Sequence, residues 1–316
     1  MLIAVEKAVE SVLTLFLLGL VGFVLSKRGA LSPETKVLLP KMIVLIVLPP
    51  FLFYHITTYF ERESLLYLVY GAIVPAMGIG ITFLISYVVA IIFKIDKKRR
   101  GVFSSGWGFS NTMFVGLPVN MTLFGEEAVP YVLLCYFGNT TIFWLFGSYA
   151  ISLDGSQEKI RLFSMTTLKQ IFTPPLQTFL AGLCVVLLNV QLPGFVMNSV
   201  RLLGNMTTPL ALIYIGVTMA GVRFRELKVD RDVLLVMVGR FMVSPLVVLL
   251  VIQFIDLPPL MVKVFIIQSV LPVGTMVALM AGYYKADAEY ASVLVSLSTL
   301  AAMVTIPLAM ALISFI

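Results

Sequence analysis

Apolar residues in this chain come in long runs separated by short polar breaks. A helix needs about 20 apolar residues to cross the roughly 30 Å hydrocarbon core of a bilayer. Ten runs qualify, at 5–26, 37–60, 65–93, 101–124, 127–151, 167–189, 194–221, 232–255, 260–283 and 288–315. The longest polar break, Ser152 to Thr166, is only a loop, so no soluble domain fits between spans. The first run opens on acidic Glu6 and Glu10, without a basic start or a small-residue cleavage site, and reads as a retained helix rather than a signal peptide. The pattern predicts an all-α integral membrane protein of ten transmembrane helices.

Composition agrees. Hydrophobic residues make up 60% of the 316 and charged residues 12%, too few to clothe a soluble domain. The net charge of +6 does not mark a nucleic-acid binder, because the basic residues sit in loops between apolar runs. Lys27, Arg28 and Lys36 fall in the first connection, and Lys94, Lys97, Lys98, Arg99 and Arg100 in the third. Lys159, Arg161 and Lys169 fall in the fifth, and Arg223, Arg225, Lys228 and Arg231 in the seventh. The even connections hold only Arg62, Arg201 and Lys263. Odd connections are therefore expected in the cytoplasm, with both termini outside the cell membrane. Cys135 and Cys184 lie in apolar runs and form neither a metal motif nor a disulfide framework.

An odd number of helices per half would invert one half against the other. Pro49-Pro50-Phe51-Leu52 is answered by Pro209-Leu210-Ala211-Leu212. Phe124-Gly125-Glu126-Glu127-Ala128, followed by Tyr131, is answered by Tyr284-Lys285-Ala286-Asp287-Ala288, followed by Tyr290. Two inverted five-helix repeats are expected, residues 1–151 and 167–316, joined by a loop at 152–166. Within the fourth span, Ser110 to Asn120 carries Gly116 and Pro118, which break a helix and expose free carbonyls and N–H groups. Gln268 to Thr275, with Pro272 and Gly274, is its counterpart in the ninth. Broken helices at corresponding positions of two halves point to a transporter's binding site; an ordinary proline kink is the plainer alternative.

Ser110-Asn111-Thr112, Gly116-Leu117-Pro118, Phe124-Gly125 and Ala128 resemble the fourth-helix signature of the auxin efflux carrier family. Leu271-Pro272-Val273-Gly274, Ala281 and Tyr284 are similar to its ninth-helix signature. The resemblance implies broken helices four and nine crossing near the membrane centre. It also implies a dimerising scaffold of helices 1, 2, 6 and 7, hence a homodimer, and a mobile six-helix core, 3–5 and 8–10, that works as an elevator. Met276-Val277-Ala278 stands where the plant carriers have a further proline, and their long central loop is missing. The missing loop indicates a prokaryotic-type member, and the missing proline leaves Pro272 alone to break the ninth helix. The resemblance assigns Asn111 and Asn139 to the substrate cavity. Pro118, Gln268, Ser269 and Pro272 are further substrate-site candidates, and Ser110, Thr112 and Gln268 are candidates for an ion.

His55 could pack or relay protons, and Arg240 could snorkel, meet an anion or neutralise a core acid. No Asp or Glu lies at the middle of a span, which suits an anion better than a buried carboxylate pair cycling protons. The expected activity is secondary transport of a small organic anion, a mono- or dicarboxylate with auxin-like molecules included, with a proton or sodium as candidate coupling ions. A sodium-coupled symporter of the bile-acid type and a channel are the alternatives. No nucleophile–base pair or metal motif supports an enzyme, and no cofactor is expected.

Overall fold

The computed structural model describes residues 17–32, 34–60, 65–155, 172–221 and 229–313. Glu6 and Glu10, Arg62, Lys159, Arg161, Lys169, Arg223, Arg225, Lys228 and the first part of the 5–26 span lie outside the described residues. The described chain is helical, and its one extended pairing is a single antiparallel bridge between Ser110 and Val273.

The helices are α1 (Leu17–Lys27), α2 (Thr35–Met42, Ile43–Val47 and Leu48–Tyr59 in one run) and α3 (Leu65–Ile92). The fourth predicted span divides into α4 (Arg100–Gly108) and α5 (Thr112–Gly116 leading into Leu117–Phe124). Next come α6 (Val129–Ile142, Phe143–Gly147, Ser148–Asp154), α7 (Pro174–Leu187) and α8 (Gly194–Gly204, then Thr207–Ala220). α9 runs through Arg231–Val238, Gly239–Val243 and Ser244–Ile252. The ninth span divides into α10 (Pro259–Ser269) and α11 (Thr275–Tyr283), and α12 (Ala288–Ile313) closes the described chain. Among the described residues six stretches are long and apolar enough to cross a membrane: Leu38–Tyr59, Gly71–Ile92, Glu126–Asp154, Gly194–Ala220, Arg231–Ile252 and Ala288–Ala311. Large apolar side chains such as Leu84, Leu234, Leu246, Leu250 and Leu308 point outward. Water would penalise such a surface, whereas lipid tails are a solvent for it.

Four described helices contain a π-helical turn, and three of these turns end two residues before a proline. Ile43–Val47 precedes Pro49, Thr112–Gly116 precedes Pro118 and Gly239–Val243 precedes Pro245. Proline removes an N–H and pushes on the carbonyl four residues back; widening that turn relieves the clash without ending the helix.

Two packing groups stand out. α1 and α8 touch backbone to backbone: a Cβ on Gly22 would overlap the Ile213 carbonyl, and one on Gly216 the Gly19 carbonyl. α2 joins them through Gly204 packed on Phe51 and Thr207 Oγ1 donating to the Val47 carbonyl at 3.1 Å. α7 adds Gly182 against Ile56 of α2. The other group is an apolar core shared by α3, α4, α6, α9, α11 and α12, centred on Phe103, Trp107, Phe109, Ile151, Val236 and Leu294.

Polar ties sort the connections onto two faces. Arg99, between α3 and α4, pairs with Asp230 at the start of α9 and with Asp287 ahead of α12, both at 2.9 Å. Asp154, at the end of α6, accepts from Gly101 N and Val102 N at 2.8 Å each. At the other end of α6, Tyr59 Oη donates to Glu126 at 2.7 Å. The Glu126–Asp154 run has 29 residues, so these two sets of ties stand about 43 Å apart along it.

Candidate functional site

The site is built where two helices come apart. α4 stops at Gly108, Phe109 is extended, and α5 restarts with Asn111 as its N-cap, Oδ1 accepting from Phe114 N at 3.2 Å. The break thus falls at Phe109–Asn111, at the very start of the predicted stretch and ahead of Gly116 and Pro118, the residues expected to break the helix. An asparagine side chain caps a helix start well, and the wide turn at Thr112–Gly116 carries Pro118 within the helix. The other break lies between Ser269 and Thr275. The two opened segments bond to each other, Asn111 N to the Pro272 carbonyl and Gly274 N to the Phe109 carbonyl, both at 2.9 Å.

Side chains from neighbouring helices bond further groups of the opened backbone. Asn139 of α6 grips Ser110 with both ends of its amide: Oδ1 accepts from Ser110 N at 3.1 Å and Nδ2 donates to the Ser110 carbonyl at 3.2 Å. Ser298 Oγ of α12 accepts from Val273 N at 3.0 Å. Arg240 of α9, only 3% exposed, donates from Nη1 to the Trp107 carbonyl (2.6 Å), from Nη2 to the Ser269 carbonyl (2.7 Å) and from Nε to the Leu271 carbonyl (3.0 Å). Irregular backbone inside a membrane protein is tolerated when such partners replace water.

Two cavities border the crossing. The first, of about 90 Å³, is lined by Asn111, Asn139, Thr140 and the first turn of α11 from Thr275, with Phe109, Phe114, Tyr136, Phe143 and Trp144 as aromatic walls. One water needs about 10–15 Å³, so there is room for a small molecule. Asn111 Nδ2 has no partner among the described residues, and no side chain caps the start of α11, whose positive end forms part of the wall. The second, of about 30 Å³, lies among α3, α9 and α10 and is lined by Thr82, Arg240, Ser244, Gln268 and Ser269. Ser110 and Thr112 line both. Gln268 is 4% exposed, and neither end of its amide finds a partner. It lies against Gly116, where any Cβ would collide with the amide.

The sequence candidates therefore divide. Asn111, Asn139, Ser110 and Thr112 meet at the first cavity; Gln268 and Ser269 face the second. Pro272 takes part through its carbonyl, and Pro118 lines neither cavity. His55 sits buried in an aromatic column, its ring centroid 4.2 Å from that of Phe51 and 5.5 Å from those of Tyr54 and Tyr59, away from both cavities. Sequence reasoning missed Ser298, and it ended the ninth-span break at Thr275 without making that helix start part of the site. Arg240 was expected to snorkel, meet an anion or neutralise a core acid; it is buried instead on three main-chain carbonyls.

The sequence profile of the membrane transport protein family, that of the PIN-like auxin efflux carriers, matches residues 7–310. The chain belongs to this family. It is similar to an uncharacterised transporter of Methanocaldococcus jannaschii, 24% identical over 88% of this chain and 90% of the relative. It is also similar to an uncharacterised transporter of Methanothermobacter thermautotrophicus, 25% identical over 95% of this chain and 96% of the relative. A multi-pass membrane transporter follows from the family and from the apolar helices. The prokaryotic relatives accord with the missing plant-type loop.

Proposed function

We propose that the protein is a secondary transporter that carries a small organic anion, a carboxylate on an apolar body, through the first cavity by alternating access. The observation that carries this reading is the cavity's chemistry. An unpartnered amide N–H on Asn111, an uncapped helix N-terminus and aromatic rings line it, with no carboxylate among the described residues around it. Backbone N–H groups at a helix start favour an anion. In this reading α4–α5 and α10–α11 are the fourth and ninth crossings of two inverted five-helix repeats. The glycine-packed set α1, α2, α7 and α8 is the fixed scaffold, against which the remaining helices move as an elevator. The face carrying Arg99 is the cytoplasmic one, because lysines and arginines gather there.

The test is a melting series on purified protein with benzoate, indole-3-acetate and succinate, each beside its neutral amide. A ligand at a hundred times its Kd stabilises the folded state by about 2.7 kcal/mol. At least one carboxylate is expected to raise the melting temperature where its amide does not. Equal responses to acid and amide, or none to any carboxylate, would refute the anion reading.

A further inference from the structure

α4 and α10 end at the crossing, and each brings the partial negative charge and open carbonyls of a helix C-terminus. A bound cation would be the simple remedy, since three carbonyl oxygens and nearby hydroxyls are a hard-cation donor set. The chain supplies its own. Arg240 reaches in from the wide turn of α9 and takes the Trp107, Ser269 and Leu271 carbonyls on three separate N–H groups. Gly239, beside it in sequence, lets α9 lie directly on the Trp107 ring, where a Cβ would collide. No carboxylate pairs with Arg240 among the described residues. Its charge is met by main-chain dipoles alone.

We infer that Arg240 is a resident cation: its guanidinium fills the place between the two helix C-termini that a dissolved sodium ion would otherwise take. The site therefore binds its anion without a co-bound metal ion. Three observations fit together here. The guanidinium spends three of its N–H groups on the carbonyls that would ligate a metal. The oxygens left over, on Thr82, Ser110, Thr112, Ser244, Gln268 and Ser269, lie beside a fixed positive charge that repels a second cation. The unpartnered Gln268 amide then faces a cavity of about 30 Å³, room enough for water to serve both its ends. The sodium-symporter alternative loses its ligand set, and with the two C-termini neutralised the uncapped start of α11 is left electropositive, which an anionic cargo offsets. This last step rests on the anion reading; the placement of the cation does not.

The experiment compares melting temperatures in sodium chloride and choline chloride for the wild type, Arg240→Ala and Arg240→Lys. The wild type and Arg240→Lys are expected to melt equally in both salts. Arg240→Ala is expected to melt lower and to be raised by several degrees, about 2–4 °C or more, on adding low millimolar guanidinium, which refills the vacated place. Sodium that stabilises the wild type or tightens its carboxylate binding would overturn the inference, as would a folded Arg240→Ala indifferent to guanidinium and sodium. If Arg240→Ala does not fold, the wild type and Arg240→Lys decide: sodium dependence in either overturns the inference, and indifference in both supports it. A sodium-indifferent wild type that binds no carboxylate would sink the anion reading and leave the resident cation standing.

Discussion

Asn111 does two jobs with the two ends of one amide. Its Oδ1 caps α5 through Phe114 N, and its Nδ2 is left to face the cavity. Alanine would remove both functions, and a lost cap alone costs about 0.5–2 kcal/mol, so that variant confuses stability with binding. Aspartate separates them. Asn111→Asp keeps an acceptor for Phe114 N, and aspartate caps about as well as asparagine. It replaces the free donor with a negative charge. Melting temperature should stay near wild type, while calorimetry should show carboxylate affinity reduced at least about 10-fold, the scale of one hydrogen bond to a charged group. Unchanged affinity would remove Asn111 from the site. The residue types at the crossing were legible in the sequence because polar side chains inside apolar runs are conspicuous. Their duties were not, since Asn139 could be identified as a clamp on Ser110 only once α6 and α4 were placed side by side.

At the scale of elements, the sequence marked both breaks to within a few residues but misjudged how proline acts in the first. Gly116 and Pro118 were expected to break the helix, whereas the chain opens at Phe109–Asn111 and the proline rides behind a wide turn. The physical reason is that one extra residue per turn absorbs the proline, a solution that a residue-by-residue propensity does not reveal. Pro118→Ala should let Thr112–Gly116 tighten to an ordinary helical turn. That would rotate Asn111 and Thr112 by roughly 100° against the rest of α5 and turn the free amide from the cavity. The variant is expected to melt at or above the wild-type temperature, because a mid-helix proline costs up to about 3 kcal/mol, yet to bind a carboxylate more weakly. Wild-type affinity, measured by calorimetry, would show that the wide turn does not aim Asn111.

For the whole molecule, the alternation of lysines and arginines already sorted the connections, and the structure joins several of them physically. Arg99 holds the approaches to α4, α9 and α12 together, while Tyr59 and Glu126 tie the far end. The partly exposed ion pairs each add little stability, so their value lies in fixing the ends of helices that pack as one core. What the sequence could not disclose is the glycine-mediated contact of α1 with α8 and the convergence of α4 and α10 on Arg240, since both join residues far apart in the chain. The central claim is that a carboxylate sits against the start of α11, and labelling there tests it most directly. Thr275→Cys, in a background with Cys135→Ala and Cys184→Ala, places a thiol in the cavity wall at a helix N-terminus, where thiolate is favoured. A carboxylate that raises the melting temperature, added at ten times its Kd, leaves about one site in eleven free, so the rate of thiol modification should fall about tenfold. A rate unchanged by that carboxylate would contradict the account.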